Sequence, residues 1–69
     1  MPLTMAQPGV DIQIKRILGK KDTRKFLESL GFITGSEVNI ISHNMGNIIV
    51  NIKGTRIALN EGIAKYIMV

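Results

Sequence analysis

The chain of 69 residues has no cysteine, one histidine and three aromatic side chains. Without cysteine there is no disulfide, no thiolate metal site and no cysteine nucleophile, so a chain this short must hold its fold by packing alone. With His43 as the sole imidazole and no carboxylate at ligand spacing around it, a first-row metal ion has no second strong ligand nearby, and no metal site is expected. Met45 is a lone thioether beside a turn, read as an exposed residue or a gap filler. Ser29, Ser36 and Ser42 have only His43 as a possible base, and Ser42 adjoins it on the opposite face of a strand, so no nucleophilic constellation forms. The five acids Asp11, Asp22, Glu28, Glu37 and Glu61 fall in different elements, which leaves no acid and base pair. No catalytic residue, no cofactor and no enzyme are expected.

Long apolar runs are missing too. The longest, Tyr66 to Val69, is far short of the roughly 20 residues that cross a bilayer, so any membrane role is peripheral. The start, Met1 to Pro8, lacks the basic and long apolar regions of a secretory signal, and the cytoplasm is the expected compartment. A chain of this length forms one small domain, residues 1–69, burying about 60% of the surface that its unfolded form exposes, with little room for a deep substrate cavity.

Charge is plentiful but one-sided. The formal net charge is +4, and Lys15, Arg16, Lys20, Lys21, Arg24 and Lys25 are opposed locally only by Asp22. Such a cluster is either a solvated face or a surface that attracts nucleic acid, anionic lipid or an acidic protein. Gly19-Lys20-Lys21 is not a phosphate loop, because Ile14 stands where its first glycine belongs and Lys21 where its hydroxyl belongs.

Alternation of Val10, Ile12 and Ile14 with polar residues, continued by Ile17 and Leu18, marks a first strand. Asp22 is read as the N-cap of a helix whose apolar face carries Phe26, Leu27 and Leu30. Gly31 stands where a left-handed C′ residue belongs, with Phe32 placed to fold back on Leu27, and Thr34 to Ser36 turn the chain into a second strand. There Val38, Ile40 and Ser42 share one face, and Asn39, Ile41 and His43 the other. A turn at Asn44-Met45-Gly46-Asn47 leads to Ile48, Val50 and Ile52 on the buried face of a third strand, and Lys53-Gly54-Thr55 leads to a fourth that buries Ile57 and Leu59. Ile63 to Lys65 suffice for one helical turn, and Tyr66 to Val69 make a fifth strand. One short α-helix cannot cover five half-apolar strands, so the expected fold is mainly β: a small, five-stranded SH3-like barrel with the helix between strands 1 and 2.

From end to end the chain resembles the ferrous iron transport protein A (FeoA) family. The resemblance is carried by Leu3-Thr4, Pro8-Gly9, Ile14, Ile17 and Gly19. It continues through Leu27, Leu30, Gly31, Phe32 and Gly35, the hairpin from Gly46 to Val50, Gly54, Arg56-Ile57-Ala58-Leu59, Ala64, Ile67 and Val69. It implies an SH3-like cytoplasmic accessory of ferrous iron uptake, whose partner is the cytoplasmic GTP-binding region of the membrane ferrous iron transporter. The module also resembles the C-terminal SH3-like domain of iron-dependent repressors, without the length for a helix-turn-helix. Joined to the charge pattern, the resemblance implies a partner surface of Lys20, Lys21, Arg24 and Lys25 with Phe32 and Ile33, on a chain that reaches the membrane only through its partner and is favoured as a monomer. The alternative is a small basic SH3-like module that binds nucleic acid. It is disfavoured because both phenylalanines are assigned to helix packing, which leaves no exposed stacking platform.

Overall fold

Two antiparallel sheets divide the strands between them in the computed structural model, which describes residues 1–69. The larger contains β1 (Asp11–Gln13), β3 (Glu37–Asn44), β4 (Asn47–Ile52) and β5 (Thr55–Asn60) in the spatial order β1-β3-β4-β5. The smaller pairs β2 (Arg16–Ile17) with β6 (Ile67–Met68). Helix α1 (Lys21–Ser29) lies between β2 and β3, the one-turn helix α2 (Glu61–Ala64) follows β5, and a 3-10 turn covers Leu3–Met5.

The stretch 10–18, expected as one strand, is two. The Ile14 N–H donates to the Ser36 carbonyl and the Gly35 N–H to the Ile14 carbonyl, each at 2.8 Å, whereas the next residue, Lys15, donates to Met68 at 2.8 Å. The chain thus leaves one sheet at Ile14 and joins the other at Lys15. Six strands result instead of five, and no ladder closes the two sheets into a complete barrel. The fold remains SH3-like: one cluster of 14 buried apolar residues lies between the sheets and helices, and no polar side chain is buried.

Both hairpins of the larger sheet turn on two residues with positive φ, Met45 (49°) with Gly46 (83°) and Lys53 (51°) with Gly54 (76°). This is the type I′ pattern, whose twist matches that of the flanking strands. Ile48, Val50 and Ile52 point into the core as the alternation requires, and Leu59 joins them, while Ile57 is half-buried. The β3 alternation holds only as far as Ile40. A bulge at Ile41 moves the register, so that Ser42 lies opposite Ile49 and His43 opposite Ile48. His43 therefore shares the side of Ile48 rather than that of Asn39, and a period-2 pattern cannot anticipate an inserted residue.

At the helices, Lys20 rather than Asp22 is the N-cap of α1, and it makes no side-chain capping bond. Asp22 sits two residues further in, within the first turn, where its charge suits the helix dipole. Leu27 is fully buried and Leu30 partly so, but Phe26 is 48% exposed and does not belong to the packed face. Helix α2 starts at Glu61, ahead of the expected Ile63, because the Asn60 side chain accepts from the Gly62 N–H at 2.7 Å. The N-terminal segment enters the core through Leu3, which has no exposed surface.

Candidate functional site

Helix α1 presents cations where a helix least favours them. Lys20 at the N-cap and Lys21 at the first helical position stand against the partial positive charge of the unsatisfied N–H groups, an arrangement that costs roughly 0.3–1 kcal/mol per charge. What fixes the helix is its other end. Gly31, with φ of 101°, allows the Gly31 N–H to donate to Glu28 (2.9 Å) and the Phe32 N–H to Leu27 (3.0 Å), the paired bonds of a Schellman ending. The ending turns the chain so that Phe32 enters the core and Ile33, 38% exposed, remains at the surface.

Residues three and four apart adjoin on a helix, so Lys21, Arg24, Lys25 and Glu28 form one exposed face. None of the nine lysines and arginines makes an ion pair. The only basic and acidic side chains within 4 Å of each other are His43 and Glu61, whose Nδ1 and Oε1 lie 3.3 Å apart. The α1 cations are thus exposed and make no ion pair, so an acidic partner meets them without breaking one.

Beside this face lies a cleft of about 260 Å³ between α1, β2 and the turn that follows the helix. Arg24 and Glu28 line it from α1, Arg16 and Ile17 from β2, and Ile33 and Thr34 from the turn, with Phe32 against its floor. Its volume is below the roughly 300–1,000 Å³ of small-molecule sites, and it suits one or two side chains of a partner.

Of the residues expected to bind a partner, Arg24, Phe32 and Ile33 meet at this cleft, while Lys20, Lys21 and Lys25 are exposed on and ahead of α1 without lining it. Phe32 is fully buried and so supports the surface without offering contact area, which leaves Ile33 as the apolar member. Arg16, Ile17, Glu28 and Thr34 were not anticipated as lining residues. Arg16 was visible in the basic cluster, but its approach to Arg24 depends on the unforeseen break before β2. Along the sequence His43 has no neighbouring carboxylate, yet the bulge in β3 and the early start of α2 bring Glu61 to it. No third histidine, cysteine or acid joins these two as a possible metal ligand. No helix is long and apolar enough to cross a membrane.

Short strands in two sheets around one apolar core, with a helix between β2 and β3, define a small SH3-like β protein, and its distinguishing surface is a basic helix beside a cleft. The chain belongs to the FeoA family: the FeoA domain matches residues 1–69. It is 34% identical over 68 residues to a Methanocaldococcus jannaschii protein named "Putative Fe(2+) transport protein A", covering 99% of this chain and 83% of that one. The crystal structure of an iron uptake regulatory protein, FeoA, superposes with a TM-score of 0.90 at 36% identity, covering 100% of this chain and 93% of that chain. Stenotrophomonas maltophilia FeoA, a prokaryotic SH3 domain protein crystallised with zinc, gives a TM-score of 0.87 at 25% identity over 100% of this chain and 88% of that chain.

Proposed function

We propose that this chain is a non-enzymatic accessory of ferrous iron uptake. It binds the cytoplasmic GTP-binding region of the membrane ferrous iron transporter through the basic face of α1, and modulates or assembles the transporter from the cytoplasmic side. Membership of the FeoA family supports the connection with ferrous iron transport. The observation that carries the choice of surface is the placement of Lys20 and Lys21 at a helix N-terminus, uncapped and without an acidic partner. A fold that needed only stability would have Ser, Thr, Asp or Asn there. Local rules broken without structural compensation mark sites kept for another purpose.

The test is the affinity of the Lys21→Glu/Arg24→Glu double variant for the transporter's GTP-binding domain. Both residues are exposed and unpaired, so the fold is retained while the surface field is reversed. Affinity should fall by about tenfold or more at low ionic strength and the difference should shrink as salt is added, since surface charges are screened over about 8 Å at physiological ionic strength. Equal binding by parent and variant would remove α1 as the docking face.

A second reading keeps some support because Phe26 is 48% exposed, contrary to its expected place in the packing, and follows Arg24 and Lys25 directly. An exposed aromatic next to cations is a stacking platform for a nucleic-acid base. This reading requires RNA binding that falls steeply with salt and weakens in Phe26→Ala. Absence of binding to single-stranded RNA at about 50 mM salt ends it.

A further inference from the structure

The cleft beside α1 has a charge balance that its basic surroundings lack. Two arginines, Arg16 from β2 and Arg24 from α1, face a space that also takes Glu28. Two guanidinium charges and one carboxylate leave a single net positive charge. The other lining groups are the apolar Ile17, Phe32 and Ile33 and the hydroxyl-bearing Thr34. We infer that this cleft receives one carboxylate carried on an apolar segment of a protein partner, an Asp or Glu side chain flanked by aliphatic residues.

The chemistry follows from the lining. Arginine presents planar N–H donors that match the two oxygens of a carboxylate, and Arg16 and Arg24 make no ion pair that such a ligand would have to break. The Thr34 hydroxyl adds a donor, and Ile33, 38% exposed, with Ile17 supplies apolar contact for the residue next to the acid. Glu28 sets the selectivity. Its charge balances one arginine, so a monoanion neutralises the site whereas a phosphate dianion leaves excess negative charge against Glu28. A space of about 260 Å³ has room for a carboxylate side chain and an aliphatic neighbour.

This inference rests on the proposed docking face and specifies what that face grips. It is tested apart from the transporter, by NMR titration of the full chain with a capped peptide of sequence Gly-Leu-Glu-Ile-Gly, its Gln counterpart and inorganic phosphate, observing the arginine side-chain N–H groups and the isoleucine methyls. The Glu peptide should shift Arg16, Arg24 and Ile33, and the Gln peptide should bind about tenfold more weakly, the worth of a charge-assisted hydrogen bond. Arg24→Gln should lose the preference for Glu while keeping the folded spectrum. In Glu28→Gln, phosphate should gain on the peptide. Equal binding of the Glu and Gln peptides, shifts elsewhere on the surface, or phosphate binding to the parent cleft as tightly as the Glu peptide would each overturn the assignment. If the peptide discriminates but the GTP-binding domain does not bind, the proposed function fails and the cleft stands. If that domain binds without peptide discrimination, the proposed function stands and the cleft assignment fails.

Discussion

The Phe32 N–H donates to the carbonyl of Leu27 at 3.0 Å, and both side chains are fully buried in the same core cluster. This bond, made possible by the left-handed Gly31 between them, ends α1 and directs the chain toward β3, so that the cleft forms between the helix and the turn. An alanine Cβ at Gly31 would meet only the Lys53 Cδ at 3.8 Å, an ordinary contact. The cost of Gly31→Ala is therefore conformational, about 1–2 kcal/mol, and should appear as a fall in melting temperature of roughly 5–15 °C. Gly19 has a similar φ of 98°, but its Cβ would also lie 3.3 Å from the Tyr66 ring. The Leu18 N–H holds the Tyr66 backbone at 2.8 Å, so Gly19→Ala should destabilise more than Gly31→Ala. Thermal melts of the two variants check the order.

Much of the fold was legible because the informative signals are local. The Schellman ending, both two-residue hairpins and the inward alternation of β4 depend on residues within a few positions of one another. What was missed depends on partners far along the chain. The strand break at Ile14 is set by bonds to Ser36 and Met68, the bulge at Ile41 by pairing with β4, and the exposure of Phe26 by which helical face the sheets cover. The candidate surface was half legible for the same reason. The cations of α1 can be read as a run, whereas Arg16 meets Arg24 at the cleft only after β2 has left the first strand's direction.

The N-terminus of α1 should trade stability against binding. Lys20→Ser supplies the missing capping oxygen and removes an unfavourable charge, and should stabilise the chain by about 1 kcal/mol in denaturant melts. The same variant should bind the GTP-binding domain more weakly than the parent. A gain in stability with unchanged affinity would show that Lys20 lies outside the contact.

The Asn60 cap of α2 should couple to Gly62. Asn60→Ala loses a 2.7 Å bond to the Gly62 N–H and should cost about 1 kcal/mol. A Cβ at Gly62 would fall 2.9 Å from the Asn60 Oδ1 and displace the cap, so Gly62→Ala should cost less in the Asn60→Ala background than in the parent. A double-mutant cycle by chemical denaturation measures this difference, and strict additivity would place the helix start under other control.

Helix α1 and the adjoining cleft are the surface proposed to meet the transporter. The most direct measurement is a chemical-shift titration of the isotope-labelled chain with the transporter's GTP-binding domain, in nucleotide-free and GTP-analogue states. The expected result is a set of shifts on Lys20, Lys21, Arg24, Lys25 and Ile33, extending to Arg16 and Thr34 across the cleft, with the outer edge of β5 unperturbed. Saturable binding whose shifts fall on β5 and the two hairpin turns, leaving α1 and the cleft unmoved, would contradict it.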